Sequence, residues 1–447
     1  MKQTWKKLLS VVLCLFLAIG SLTLVACGDN NENKEEPIDP NKTQLYIGNQ
    51  NYGFGDKWLE AAEIKFEEMF KDYCFEPGTD KKGIQIYYDN GSGFSGTGLL
   101  SSLKSSSEYD IYFGEATNYY DYVLGDVMMD LTSLIDGTED YSDVFVEYGG
   151  AEYTEEGSIE DKLLDGFRDF YKTPTGISGM PEGKYFALPN YECTYQMNYN
   201  IDMWNKYNLF FDEDGEIGVK NTNRELLSAG PDGEKGNYDD GLPATFDQFF
   251  EVCYEFSNNT NGGSLISWPG GIASYRNVYM QELFHAIEGK ESNLLGTFNG
   301  TATRLIKVQN NQGRTEMVFD SNGNPVLETK TIQPSNAYEA YRQSGRYWAV
   351  NFFERIIEGG YMTGGSTGSD DHYTTQMNFI KSNFQGGPIA ILYDGNFWQN
   401  EADASFKTVV NKYGNKASKE VMNFGVLPVP RPTADAAYAG KNAYSTS

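Results

Sequence analysis

Histidine is nearly absent from this chain: only His285 and His372 occur among 447 residues, far apart in sequence. A histidine-based triad or a multi-histidine metal centre has little material here. Acids, in contrast, are everywhere, with 63 Asp and Glu. Two carboxylates about 5–10 Å apart could hydrolyse a glycoside, but with so many acids such pairs are unavoidable, and no catalytic motif accompanies them. Aromatic residues are equally plentiful, with 32 Tyr, 27 Phe and 6 Trp. Tyrosine offers a flat apolar face and a polar tip, which suits wet recognition surfaces as well as ordinary cores. Rings beside Asp, Glu and Asn suit a ligand with apolar faces that stack and polar edges that want hydrogen bonds. Each aromatic contact contributes about 0.5–1.5 kcal/mol beyond burial. A few of these with satisfied polar pairs reach micromolar affinity, about −8 kcal/mol.

The candidates for such a site lie in loops at the carboxyl ends of predicted strands, where open α/β sheets bind ligands. Asn49 and Tyr52 follow the first strand, and Glu115, Asn118 and Tyr119 follow the third. Trp268 and Tyr275 flank Pro269-Gly270-Gly271, a loop that lets a ligand approach. For Tyr52, Tyr119, Tyr275 and Trp348 a half-buried packing role is equally open. A second constellation is acidic and glycine-rich. Asp212, Asp214 and Glu216 surround Gly215, while Asp232, Glu234, Asp239 and Asp240 lie around Gly233, Gly236 and Gly241. Hard oxygen ligands on tight loops suit a structural Ca²⁺ away from the ligand site, although neither stretch has EF-hand spacing. Asp-Gly pairs, like Asn322-Gly323, are also good hairpin turns, and that reading stands beside the metal. No other cofactor is implied.

Positioning these loops requires alternating strands and helices. Gln44–Gly48, Ile84–Tyr88 and Tyr109–Phe113 read as strands, and Trp58–Lys71, Leu99–Ser105 and Val123–Ile135 as helices. That alternation predicts a parallel α/β sheet. Tyr185–Asn200 reads as extended, and Phe246–Phe256 as a helix capped by Thr245. Ala337–Gly359 has the pattern of one long helix, and Pro388–Tyr393 and Phe424–Val429 read as strands. No internal repeat of fixed period is present.

The N-terminus carries an address. Lys2, Lys6 and Lys7 precede an apolar run that ends Leu24-Val25-Ala26-Cys27-Gly28, the pattern of an export signal. The close resembles the lipobox of bacterial lipoproteins. The resemblance implies a signal over 1–26, acylation of Cys27, and anchoring in the membrane by lipid, each buried CH₂ contributing about 0.8 kcal/mol. An uncleaved membrane-spanning anchor is the alternative, since the run nearly has the length. Residues 27–43 are polar and read as a tether, spanning roughly 20–25 Å. The formal charge is −28, and losing the three lysines of residues 1–26, which hold no acid, takes it to −31. Such a surface repels phosphate backbones, so no nucleic-acid partner is expected. Cys74, Cys193 and Cys253 are too few and too scattered for a disulfide framework or a zinc site.

Several blocks together resemble the extracellular solute-binding proteins of bacterial ABC importers, closest to the sugar-binding subgroup that includes maltose-binding protein. They are Tyr112-Phe113-Gly114, Met129–Ile135, Tyr185–Glu192 with Tyr199–Trp204, Leu242–Phe249, Gly387–Trp398 and Phe424–Pro430. The resemblance implies a two-lobed periplasmic-binding-protein-like α/β fold, with a hinge and an interlobe ligand cleft. It implies one lobe at 44–187, the other at 188–422, and a return to the first at 423–447. The family normally continues further at that point, so this reading expects a truncated C-terminus. Tyr191 and Glu192 match a family position at the first crossover that lines the cleft, and Trp398 matches the family's stacking tryptophan. The implied function is a monomeric, lipid-anchored receptor on the extracellular face of the cytoplasmic membrane, in keeping with a Gram-positive cell. It would capture a carbohydrate, by this reading an oligosaccharide, and deliver it to an ABC permease without breaking a bond. A surface carbohydrate-active enzyme and a receptor for a non-sugar solute such as a peptide are the alternatives.

Overall fold

The computed structural model describes residues 37–51, 53–91, 94, 96–105, 108–150, 157–261, 263–289, 302–363, 370–385 and 387–432. The export signal, Cys27, most of the tether, Tyr52 and residues 433–447 lie outside them. Among the described residues no helix is long and apolar enough to cross a membrane. The chain divides into two compact units between Glu192 and Cys193, five residues beyond the expected lobe boundary.

The first unit is built as its pattern predicts. β1 (Thr43–Gln50), α1 (Lys57–Met69), β2 (Ile84–Gly91), α2 (Gly96–Ser105) and β3 (Ile111–Phe113) alternate. The sheet order is β2-β1-β3, and both pairings are parallel. Leu59 and Phe66 of α1 pack on Leu45, Ile47, Ile84 and Ile86 of the sheet, and Phe70, Phe75 and Phe145 close the core. The helix expected over Val123–Ile135 is instead two pieces, α3 (Tyr119–Leu124) and α4 (Thr132–Ile135). Asp126 turns left-handed at φ 54°, which an α-helix cannot continue through. Asp130 Oδ1 then accepts the Thr132 N–H at 2.9 Å and starts the second piece. α5 (Ser142–Gly149), α6 (Ile159–Lys162) and α7 (Asp165–Tyr171) complete the unit.

The second unit opens with β4 (Tyr195–Asn200), α8 (Ile201–Tyr207) and a small hairpin, β5 (Phe210–Phe211) and β6 (Ile217–Val219). Then come α9 (Phe246–Asn259), β7 (Ile266–Ser267) and α10 (Ala273–Glu288). Thr245 caps α9 as its sequence predicts: the Oγ1 accepts the Gln248 N–H at 3.3 Å, while Gln248 Oε1 accepts the Ala244 N–H at 2.8 Å. Two antiparallel pairs follow, β8 (Ala302–Ile306) with β11 (Leu327–Thr331), and β9 (Val308–Asn311) with β10 (Arg314–Met317). The single helix expected over Ala337–Gly359 is a 3₁₀ run, Pro334–Arg342, and then α11 (Ser344–Glu358). Gln343 between them is extended at ψ 136°. The start of α11 is fixed from afar, by buried Glu288 at the end of α10. Its Oε2 accepts the Gly345 N–H at 2.5 Å and the Ser344 hydroxyl at 3.2 Å. Gly345 is required there, since a Cβ would lie 2.7 Å from Glu288 Cβ.

α12 (His372–Lys381), β12 (Ile391–Gly395), α13 (Trp398–Glu401), α14 (Asp403–Tyr413) and β13 (Phe424–Leu427) finish the described chain. The four-stranded sheet runs β13-β4-β12-β7. β12 is parallel to β7 and antiparallel to β4. Its side chains alternate between two cores: Ile391 and Tyr393 join Trp204, Phe249 and Phe352, while Leu392 joins Phe379, Phe406 and Met422. Residues 424–427 therefore need correction. They pair antiparallel with β4, Phe424 opposite Asn200 and Leu427 opposite Met197, and so belong to the second unit's sheet rather than to a return into the first.

Candidate functional site

The first unit gathers its candidates at the carboxyl ends of β1 and β3. Asn49, at the end of β1, is buried, and its Nδ2 donates to Asn90 Oδ1 at 2.8 Å. Asn90 Nδ2 in turn donates to Asp56 Oδ2 at 2.7 Å. That relay clamps two strand ends to the start of α1, so Asn49 is a structural group there. Glu115 follows β3 and is exposed, and Asn118 Nδ2 donates to Asp121 Oδ2 at 3.1 Å. Glu115 and Tyr119 line one cavity of about 650 Å³, together with Leu99, Ile111, Met128 and Leu188. Its polar atoms are largely engaged within the protein. Tyr119 Oη donates to the Tyr171 carbonyl at 2.7 Å and accepts the Phe186 N–H at 3.2 Å. Tyr122 Oη donates to the Gly96 carbonyl at 3.0 Å, and Tyr109 Oη to Asp89 at 2.9 Å. Burial pushes the Tyr119 phenol far above its ordinary value, so it stays neutral. Of the crossover pair, Tyr191 is half-buried against Phe54, ring centres 4.3 Å apart, and Glu192 is exposed.

The second unit gathers a denser set where β7 and β12 end. Tyr275, in the first turn of α10, stands parallel to His372, the first residue of α12, with ring centres 5.9 Å apart and planes 8° apart. Tyr195 meets Tyr275 edge-on at 5.3 Å, and Tyr373, largely exposed, lies 3.9 Å from His372. Beside these rings is a cluster that sequence reasoning missed. His372 Nε2 is 3.5 Å from Glu401 Oε1. Gln376 Nε2 donates to Asp394 Oδ2 at 2.9 Å and to Glu401 Oε2 at 2.6 Å. Asp394 Oδ1 accepts the N–H of Gly395 at 2.7 Å. Burial pushes the Asp394 carboxyl up to about 7; the Gln376 bond opposes that rise and the Glu401 charge adds to it. Burial also raises Glu401, against the Gln376 bond and the His372 charge. An acid ending the apolar strand Ile391-Leu392-Tyr393 was the available signal, but nothing in the sequence brings Gln376 and Glu401 to it.

The two tryptophan candidates are not platforms. Trp268 is 1% exposed and packs on Tyr279 and Phe353. The Pro269-Gly270-Gly271 loop folds over it: Arg276 Nη1 donates to the Gly270 carbonyl, and a Cβ on Gly270 would sit 2.7 Å from the indole. The glycine thus admits the protein's own indole. Trp398 is 2% exposed and packs among Phe379, Phe406 and Phe424, with centres 5.0–5.7 Å apart. An indole with no free face cannot stack on a sugar. Both are corrected from ligand platforms to core residues.

The acidic glycine loops are turns closed by their own carboxylates. Asp212 Oδ1 accepts the N–H groups of Asp214 and Glu216 at 3.0 and 2.9 Å, closing the β5–β6 hairpin through Gly215 at φ 82°. Asp232 Oδ1 accepts the Glu234 N–H at 2.7 Å, Asp239 Oδ2 the Asp232 N–H at 3.2 Å, and Asp240 Oδ2 the Gly236 N–H at 2.9 Å. Among the described residues no group of three or more His, Cys, Asp or Glu side chains is placed to hold a metal.

Comparison with protein-family models finds no match, and comparison with curated proteins finds none either. Comparison with solved structures finds similar chains. A sugar transporter of Bacillus licheniformis in complex with stachyose aligns at 12% identity and TM-score 0.42, over 88% of this chain and 69% of that one. A chitin oligosaccharide binding protein aligns at 15% and 0.43, over 88% and 68%. A cyclic alpha-maltosyl-1,6-maltose binding protein of Arthrobacter globiformis aligns at 11% and 0.41, over 90% and 73%. Scores at this level do not carry a ligand from one chain to another.

Proposed function

We propose that this chain is a solute-binding receptor for neutral carbohydrate, held at the extracellular membrane face by lipid on Cys27, which delivers its ligand to an ABC permease. The observation that carries the reading is the gathering at the end of β7 and β12. There the parallel rings of Tyr275 and His372, with exposed Tyr373 beside them, adjoin the Glu401 carboxylate. Rings offer stacking faces, and carboxylates accept hydroxyl hydrogens. Glu115 and Asn118 after β3, and Tyr191 with Glu192, are proposed separately as ligand groups of the first unit. Ligand would favour a closed state of the hinge, which the permease reads.

Hydrolysis is the rival, and Asp394 with Glu401 is its best carboxylate pair. Asp394 is wholly buried, with one oxygen on Gln376 and the other on its neighbouring N–H. That leaves no approach for a glycosidic oxygen. A thermal-shift screen of the purified chain against neutral mono- and oligosaccharides, with peptides as controls, tests the proposal. A saturable rise with one sugar class, lost in Tyr275→Ala, is expected. A rise with peptides alone, or none from a folded sample, would overturn it.

A further inference from the structure

The Gln376 side chain is wholly buried, and its hydrogen bonding is lopsided. The amide nitrogen has two N–H groups, and both are engaged, one by Asp394 at 2.9 Å and one by Glu401 at 2.6 Å. The amide oxygen, equally buried, has no partner. An orphaned buried acceptor is costly, and here it sits on the one group that separates a wholly buried carboxylate, Asp394, from a half-buried one, Glu401. Among the described residues no Lys or Arg pairs with either acid, and the only cation in reach is His372, if protonated. Its Nδ1 is also buried without a partner. Two carboxylates bridged by a neutral amide, one of them wholly buried, cannot both stay ionised cheaply, because no fixed cation offsets the charge. A proton resolves the charge. Bound to one carboxyl it removes a charge and creates an O–H donor.

We infer that Asp394, Gln376 and Glu401 form a proton-holding latch that ties α12 and α13 to the carboxyl end of β12. The latch is closed while it holds a proton and loosens when the last carboxyl ionises. The titratable groups around it are His372 from α12, Tyr275 from α10, Tyr195 from β4 and, on the other face of β12, Tyr393. Burial leads in driving the Tyr275 and Tyr393 phenols far upward, and nearby acids add to it, so both stay neutral. The folded state therefore binds more protons than the unfolded chain from the ordinary carboxylate range up to about pH 7. Stability from this source is fully present at the acid end of that window and is lost as pH rises through it. The inference is independent of which ligand the protein binds.

The test is carboxyl ¹³C NMR of the full chain labelled at Asp and Glu, together with urea unfolding between pH 5 and 8 followed by tryptophan fluorescence. One carboxyl is expected to remain protonated at pH 6, and its signal should vanish in Asp394→Asn and titrate at lower pH in Glu401→Gln. The unfolding constant should rise by up to tenfold per pH unit across the window in the parent, and by clearly less in either variant. If every carboxyl of the parent is ionised at pH 6, the latch is refuted, whether or not the variants fold. An unchanged pH slope in a folded variant refutes it equally.

Discussion

Trp398 separates a core account of the second unit from a platform account of the same residue. Its indole is 2% exposed and is held by three phenylalanines, Phe379, Phe406 and Phe424, at centre distances of 5.6, 5.7 and 5.0 Å. Truncation to alanine removes the transfer free energy of a large ring and leaves a void between α12, α14 and β13. Such changes cost about 3–5 kcal/mol. The upper end is expected here, because the surrounding rings belong to three different elements and cannot all collapse inward. Trp398→Phe keeps one ring in the site and should cost a fraction of that. Urea unfolding with near-ultraviolet circular dichroism measures the stability term, and titration with a saccharide identified by screening measures the other. The core account predicts a clear loss of stability in Trp398→Ala. It also predicts saccharide affinity within about twofold of the parent in Trp398→Phe. A Trp398→Phe protein of unchanged stability whose affinity has fallen tenfold would refute the reasoning and restore the ring to the ligand.

Three further outcomes follow from the geometry. Glu288→Ala leaves the Gly345 N–H and the Ser344 hydroxyl without their acceptor; a loss of about 1–3 kcal/mol in urea unfolding is expected, and no loss would remove Glu288 as the distant cap of α11. Tyr119→Phe strands the Tyr171 carbonyl and the Phe186 N–H; a loss of similar size, about 1–3 kcal/mol, should appear with no change in the second unit's tryptophan signal. Because Asp212, Asp232, Asp239 and Asp240 already accept loop N–H groups, neither EDTA nor added Ca²⁺ should shift the melting temperature. A saturable Ca²⁺-dependent rise would reinstate the metal.

Local pattern carried much of the fold. The apolar alternation of Leu45 and Ile47 and the stripe of Leu59, Ala62 and Phe66 act within one element, so β1 and α1 are legible from residues alone. Thr245 was legible as a cap for the same reason, since its partner is three residues away. The failures are long-range. Nothing near Gln343 says that a carboxylate from Glu288 will start a new helix there. Nothing near Phe424 says that β4 will be its partner. For the site, aromatic type was visible but exposure was not. Tyr275 is half-buried beside its neighbours, whereas Trp268 and Trp398, equally aromatic, were taken into cores. The Asp394 cluster joins residues from β12, α12 and α13 through one amide, and no spacing in the chain announces it.

The central claim is capture of carbohydrate without chemistry. Isothermal titration calorimetry of the purified chain with an oligosaccharide, followed by mass spectrometry of the recovered ligand, tests it most directly. The account predicts saturable binding of one ligand per chain, with the saccharide recovered intact. Heat that fails to saturate and a shortened saccharide in the recovered solution would contradict it, as would the absence of binding to any saccharide by a folded protein.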